Sequence, residues 1–197
     1  MAALEVLERW LEEVVSAPGA TAFDDAVAAR HVLLDDALRA ASLVRHFDGP
    51  VVDVGSGGGS PGLPLAVEMP TRAFTLLEAE RRKCRFLERF AAEVSNVQVV
   101  WGRAEEQLVD SYGVALAKAL AKPPVAVELC LPLVAPGGAV VLWLGESADR
   151  EHVARAAEIL GGSLESDADG LVVVRKLGPT PTGFPRRPGM ARKRPLV

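Results

Sequence analysis

The run Val51-Val52-Asp53-Val54 breaks directly into Gly55-Ser56-Gly57-Gly58-Gly59-Ser60-Pro61-Gly62, and an apolar helix-length stretch follows. This turn constrains the fold more than any other part of the chain. Four residues rich in β-branched side chains are too few for a buried helix and read as a strand. The glycines permit left-handed backbone and close approach of a ligand, and Pro61 suits the first turn of a helix over residues 61–68. Strand, glycine turn and helix in that order open a parallel α/β sheet, where ligands collect outside the carboxyl ends of the strands.

The rest of the chain repeats that alternation. Apolar runs at 51–54, 73–77, 97–101, 114–116, 139–144 and 171–175 are separated by helical patterns at 61–68, 81–95, 125–134 and 149–160 or by loops. Such alternation predicts βαβ units: an α/β, Rossmann-like domain whose mainly parallel sheet carries helices on both faces. Pro136-Gly137-Gly138 and Gly161-Gly162 mark turns between elements. Ahead of the first strand, residues 2–15 place Leu4, Leu7, Leu11 and Val14 on one helical face, and Ser16-Ala17-Pro18-Gly19 ends that helix. A second helix is expected from 23 to 47, with Asp24 and Asp25 in its first turn and Asp48-Gly49-Pro50 as its stop. The expected organisation is an N-terminal helical extension over 1–47, the Rossmann-like domain over 48–177, and a Pro/Gly/Arg-rich tail over 178–197 that is extended rather than packed. With 197 residues and 49% hydrophobic side chains, one core is expected.

Charge is unevenly placed. The formal net charge is −4, yet Arg175, Lys176, Arg186, Arg187, Arg192, Lys193 and Arg194 fall after residue 170 with no acid among them. A basic segment on an acidic body suits a polyanionic partner, since each cation at a phosphate releases counterions; a merely solvated tail is the alternative. No apolar run is long enough for a membrane span and the N-terminus lacks a signal-peptide layout, so a cytoplasmic chain is expected. Cys84 and Cys130 have no metal or CxxC spacing and read as reduced core residues. His31, His46 and His152 are scattered, so no metal is expected.

The acids around the glycine turn narrow the ligand. Glu78 ends the second strand, where a carboxylate can accept hydrogen bonds from both ribose hydroxyls of a nucleoside. A dinucleotide enzyme shares that acid but uses its glycine turn to hold a pyrophosphate. Asp53, just before the turn, disfavours a phosphate and suits the cationic methionine end of S-adenosylmethionine, contacted directly or through water. After the third strand, Gly102-Arg103-Ala104-Glu105-Glu106 is placed to read an adenine edge; alternatively Glu105 and Glu106 only start a helix. In the helix over 81–95, Cys84, Leu87, Phe90 and Val94 share the buried face, so Arg81, Arg82, Lys83 and Arg85 read as its solvated side.

Taken together, residues 53–66, Thr75-Leu76-Leu77-Glu78 and Arg82-Lys83-Cys84-Arg85-Phe86-Leu87 resemble the bacterial small-subunit ribosomal RNA guanine-N7 methyltransferase family. Further matches are Arg30-His31, Lys118-Ala119-Leu120-Ala121, and the tail from Arg186 to Leu196. The resemblance implies a class I S-adenosylmethionine-dependent methyltransferase fold. It also implies ribosomal RNA or the small ribosomal subunit as partner. Loop positions Gly55, Ser56, Gly57 and Ser60 would face the cofactor, with Glu78 on the ribose, Ala104 and Glu105 near the adenine, and Lys118 at the end of the fourth strand. Arg30 and His31 would line the cleft, and Arg186, Arg187, Arg192, Lys193 and Arg194 would meet RNA. A monomer is expected.

The sequence departs from the family at three of these places. Ser60 replaces a bulky apolar residue, Lys118 an arginine, and Ala191 a proline. An arginine offers a planar fork where lysine is a point charge. Guanine N7 presents an in-plane lone pair with no proton to remove, so catalysis there rests on alignment and needs no general base. After the fourth strand there is no Asn/Asp-Pro-Pro-aromatic motif, as exocyclic amino methylation typically uses, and no Pro-Cys for covalent cytosine chemistry. Lys118 would position the target or its phosphate, against the alternative of an exposed or helix-capping lysine. Two other readings stay open: a methyltransferase with another acceptor, and a non-catalytic RNA-binding or ribosome assembly factor.

Overall fold

The computed structural model describes residues 3–17, 19, 23, 25–145 and 148–197. Residue 2, Pro18 and Asp24, which the sequence offers as helix signals, lie outside them, as does the side chain of Leu4. The N-terminal elements are α1 (Ala3–Ser16), α2 (Ala26–Ala29), a π-helical segment (Arg30–Asp35), α3 (Asp36–Leu38) and α4 (Ala41–Arg45). Then come β1 (Val51–Val54), α5 (Gly62–Glu68), β2 (Phe74–Glu78), α6 (Arg81–Ala91), β3 (Val97–Trp101), a 3-10 turn (Ala104–Glu106), β4 (Tyr112–Lys118) and α7 (Pro123–Cys130). A second 3-10 turn (Leu131–Leu133), β5 (Val134–Trp143), α8 (Arg150–Ile159), β6 (Gly162–Ala168), β7 (Leu171–Lys176) and α9 (Met190–Lys193) complete the order.

The seven strands form one sheet in the order β3-β2-β1-β4-β5-β7-β6. Neighbours from β3 to β5 are parallel, and β7 runs antiparallel between β5 and β6. Every residue of β1 and β2 is buried, as strands covered on both faces require. On one face Val127 of α7, Leu131 of the second 3-10 turn, Val153 of α8 and Leu160 just after it pack with Val52, Val140 and Leu142. The other face is covered by two clusters, one around Phe47, Leu65 and Phe74 and one in which α1 and α6 bring Trp10, Leu87 and Phe90 to Leu63 and Leu76. After β1 the chain builds outward to β3, then returns to place β4 on the opposite side of β1. A cleft opens at that switch, at the carboxyl edge.

Four expectations change. The helix expected over 23–47 is split: it widens to a π-helix over Arg30–Asp35, and Ala40 opens a turn before α4. The helix expected to reach residue 134 stops at Cys130, because Pro132 lacks an N–H and its ring blocks a further α-turn. A strand absent from the sequence reading, β6, pairs only with β7 at the sheet edge, with a register shift between Leu164 and Ser166. Being polar and one-sided, Gly162-Ser163-Leu164-Glu165 carries no apolar run to announce it.

The fourth change concerns the C-terminal segment, which packs instead of trailing. Ala191 is buried, and Phe184, Leu196 and Val197 pack against the α7–α8 core. The Arg186 guanidinium donates to both oxygens of buried Glu128 at 2.6 and 2.7 Å. Thr180 donates to Asp110 at 2.7 Å and accepts from Lys176 Nζ at 2.7 Å. Burial pulls the Lys176 ammonium below its ordinary pKa. Prolines and glycines leave α9 as its one short regular element among the described residues, and side-chain anchors hold the rest of the segment in place.

Candidate cofactor site

The cleft has a volume of about 600 Å³ and lies over the carboxyl ends of β1, β2 and β4. Its floor is the glycine turn. Gly55, Gly57 and Gly59 take φ of +72°, +56° and +111°, the left-handed region. At Gly55 a Cβ would also come within 2.5 Å of the Leu120 side chain, so β4's following loop closes directly on the turn. The amides of Gly55 and Ser56 donate to Leu77 O at 2.8 and 3.1 Å, which ties the turn to β2. From the N-terminal side, Trp10 Nε1 donates to Gly58 O at 2.7 Å and Ser60 Oγ to Leu33 O at 2.7 Å.

Glu78 stands at the end of β2 on the cleft wall, 7% exposed. One carboxylate oxygen accepts from Gly57 N at 2.8 Å and the other from Glu80 N at 2.7 Å. Two backbone donors therefore fix the plane of the carboxylate, and each oxygen keeps a second lone pair. Cys84 Sγ donates to Glu78 O at 3.3 Å. Burial pushes both cysteine thiols up, so neither offers a thiolate.

Asp53 is a correction. Its side chain is 1% exposed and does not line the cleft; one carboxylate oxygen accepts from Gly62 N at 3.0 Å beneath the turn. Burial raises its pKa to about 7, against the opposing pull of the Gly62 amide and Ser56. The sequence places Asp53 one residue before the turn, but β1 points that side chain into the packing against α5. There it holds the helix start and does not face a ligand.

Lys118 ends β4 on the cleft wall. Its ammonium pairs with Asp36 at 2.6 Å, donates to Val32 O and lies 5.8 Å from the Trp143 ring centre. With 13% of its side chain exposed, it is not a solvated lysine. The next residue, Ala119, has φ +54°, uncommon without glycine, and turns Leu120 back over Gly55. Ala104 and Glu105 also line the cleft; Glu106 closes the 3-10 turn by accepting from Arg103 N at 3.3 Å. Glu105 instead accepts from Gly189 N at 2.8 Å.

Of the expected residues, the cleft gathers the turn positions Gly55, Ser56, Gly57 and Ser60, with Glu78, Ala104, Glu105 and Lys118. Arg192 also reaches it. Arg30 and His31 do not. Arg30 turns away to pair with Glu8 at 2.8 Å, and His31 is 81% exposed beside Asp35. Their neighbours Val32 and Leu33, in the same π-helical segment, line the cleft in their place. Arg186 is occupied by Glu128, and Arg187, Lys193 and Arg194 face outward. Sequence reading missed Val32, Leu33, Lys83, Leu120 and Gly189. Lys83, Leu120 and Gly189 stand in stretches that match the family, which was the signal available; Val32 and Leu33 carried none. Among the described residues, no helix is long and apolar enough to cross a membrane, and no group of three His, Cys, Asp or Glu could hold a metal.

A parallel sheet closed by an antiparallel β7, with a glycine turn after β1 and an acid ending β2, defines a Rossmann-like fold of the class I methyltransferase type. A solved 16S rRNA N2 methyltransferase of T. thermophilus, in complex with AdoMet and guanosine, shares the fold at a TM-score of 0.52 and 19% identity, over 73% of this chain and 40% of that one. The chain belongs to the rRNA small subunit methyltransferase G family, whose model matches residues 20–167. It is 38% identical over 192 residues to the ribosomal RNA small subunit methyltransferase G of Pelotomaculum thermopropionicum, spanning 86% of this chain and 79% of that one. The protein of the same name from Synechococcus elongatus is 36% identical over 173 residues, spanning 78% and 72%.

Proposed function

We propose that the cleft binds S-adenosylmethionine and that the chain methylates small-subunit ribosomal RNA, at N7 of a guanine. The observation that carries this reading is Glu78: a buried-edge carboxylate held by Gly57 N and Glu80 N, with free lone pairs on the cleft wall. Such a group suits vicinal ribose hydroxyls. The left-handed turn at Gly55 and Gly57 lets backbone approach the cofactor without a side chain between. Ala104, Leu120 and Leu129 give an apolar slot for the adenine beside Glu105. Bound there, the cofactor would supply an electrophilic methyl group on a sulfonium.

Lys118 is the residue we assign to positioning the acceptor or its phosphate. Asp36 and Val32 O hold its ammonium at one point of the wall, so alignment rather than proton transfer is what it contributes. Arg187, Lys193 and Arg194 are exposed and suit phosphates; Arg30 and His31 present their outer surfaces beside α1. In this reading 48–177 is the catalytic body and 1–47 and 178–197 cover its cleft. The protein acts as a cytoplasmic monomer without a metal.

Labelled S-adenosylmethionine incubated with the protein and unmethylated small subunits, or with naked RNA, followed by nucleoside analysis, tests the proposal. N7-methylguanosine is expected from at least one substrate. Cofactor binding without that product would move the acceptor elsewhere. Absence of cofactor binding would leave an assembly factor.

A further inference from the structure

The C-terminal segment is basic enough to meet RNA, yet it also reaches the cleft. Arg192 Nη2 donates to Leu120 O at 3.0 Å, and Gly189 N donates to Glu105 at 2.8 Å. Both residues line the cavity. Leu120 belongs to the loop after β4 and Glu105 to the turn after β3, so the segment bridges the two loops that flank one end of the cleft. The segment does not rest there loosely: Ala191, between them, is 2% exposed in the α7 core, and Arg186 grips Glu128 on the same element. Gly189 takes φ +78°, which turns its amide toward Glu105.

We propose that the C-terminal segment completes the cofactor cavity at its nucleobase end, with Arg192 as a cofactor-binding residue whose guanidinium plane covers the adenine. This rests on the S-adenosylmethionine reading above. The end of the cleft is identified by its other walls. Glu78, the ribose acid, stands at β2; Ser60 and Lys118 lie toward the N-terminal elements; Ala104, Glu105 and Leu120 lie with Arg192. A guanidinium whose donor is already fixed to a carbonyl presents a planar, weakly hydrated cationic face, which pairs well with an aromatic base. Lysine has no such face.

Isothermal titration of S-adenosylmethionine and, separately, of adenosine tests this against Arg192→Met and Arg192→Lys. Met keeps the apolar stem. Both variants are expected to bind each ligand about tenfold more weakly than the unchanged chain, with the apo melting temperature retained. Removing a cation elsewhere, by Arg155→Ala on α8, is expected to leave both affinities as they are. If Arg192→Met binds both ligands within twofold of the unchanged chain, the proposal is overturned. Weaker binding of S-adenosylmethionine but not of adenosine overturns it as well, because the contact would then lie at the methionine end. If the unchanged chain binds neither ligand, the cofactor reading itself fails, a result distinct from either.

Discussion

Asp53 and Glu78 stand on adjacent strands at the same edge of the sheet, and their surroundings give them different work. Glu78 looks into the cleft with two backbone donors on its carboxylate; Asp53 looks down into packing. Replacing Glu78 by Ala is expected to weaken S-adenosylmethionine binding by about 1–3 kcal/mol in calorimetry; an unchanged affinity would remove the ribose role. For Asp53, burial raises the folded-state pKa to about 7, above the ordinary value of about 4. The folded chain therefore holds that proton more tightly than the unfolded one. Stability that is full at low pH is lost as pH rises from about 4 to about 7, by an amount on the order of 2–4 kcal/mol. Asp53→Asn should thus gain on the unchanged chain between pH 5 and pH 8 in denaturant titrations. A constant difference between the two would show that Asp53 ionises normally.

The π-helical segment matters at the scale of elements. Its wider turn leaves carbonyls facing inward, and two of them, Leu33 O and Val32 O, receive Ser60 Oγ and Lys118 Nζ. Asp36 follows immediately, pairing with Lys118 at 2.6 Å while its own carbonyl accepts from Trp143 Nε1 at 3.1 Å. One short stretch thereby joins the glycine turn, β4 and β5. Lys118→Met and Asp36→Leu, made singly and together, should show a coupling of about 1 kcal/mol in stability, since Asp36→Leu takes the carboxylate from a partly buried ammonium while Lys118→Met still leaves Asp36 paired with Arg39 at 2.7 Å. Additive effects would mean that the pair is solvent-screened and holds nothing. Nothing in Arg30-His31-Val32-Leu33-Leu34-Asp35 distinguishes a π-turn from an α-turn, and the expectation that Arg30 and His31 line the cleft came from the family resemblance alone, which does not say which way a side chain faces.

At the scale of the whole molecule, the C-terminal segment is both structure and binding surface. Cutting the chain after residue 185 removes Arg186 and leaves Glu128, 4% exposed, without its partner. A destabilisation of about 3–5 kcal/mol is expected from that stranded charge, read as a fall in the denaturation midpoint. Arg186→Ala alone should reproduce the part due to the stranded charge; the cut adds the lost packing of Ala191, Leu196 and Val197. By contrast, changing outward-facing Arg187, Lys193 and Arg194 to Ala should leave stability nearly unchanged. Those changes should instead flatten the salt dependence of RNA binding, by about one unit of slope for each phosphate no longer neutralised. An unchanged slope would mean that these cations are only solvated.

The sequence by itself determined the alternation of strands and helices, the glycine turn between β1 and α5, and the acid at the end of β2. Each of these is written in local spacing: apolar runs, left-handed glycines, a residue at a strand's end. It also carried the family, through blocks of consecutive residues. Only the tertiary structure decided which way a residue in those blocks faces. Asp53 went under the turn because β1 is covered on both sides, and Arg30 and His31 lie outward, Arg30 against Glu8 and His31 beside Asp35. β6 formed because β7 offered it a free edge. The tail packed because Arg186, Ala191 and Thr180 found partners far away in the chain. Contacts between distant segments have no period to read, and in this protein they supply Leu33, Leu120, Gly189 and Arg192 to the cleft.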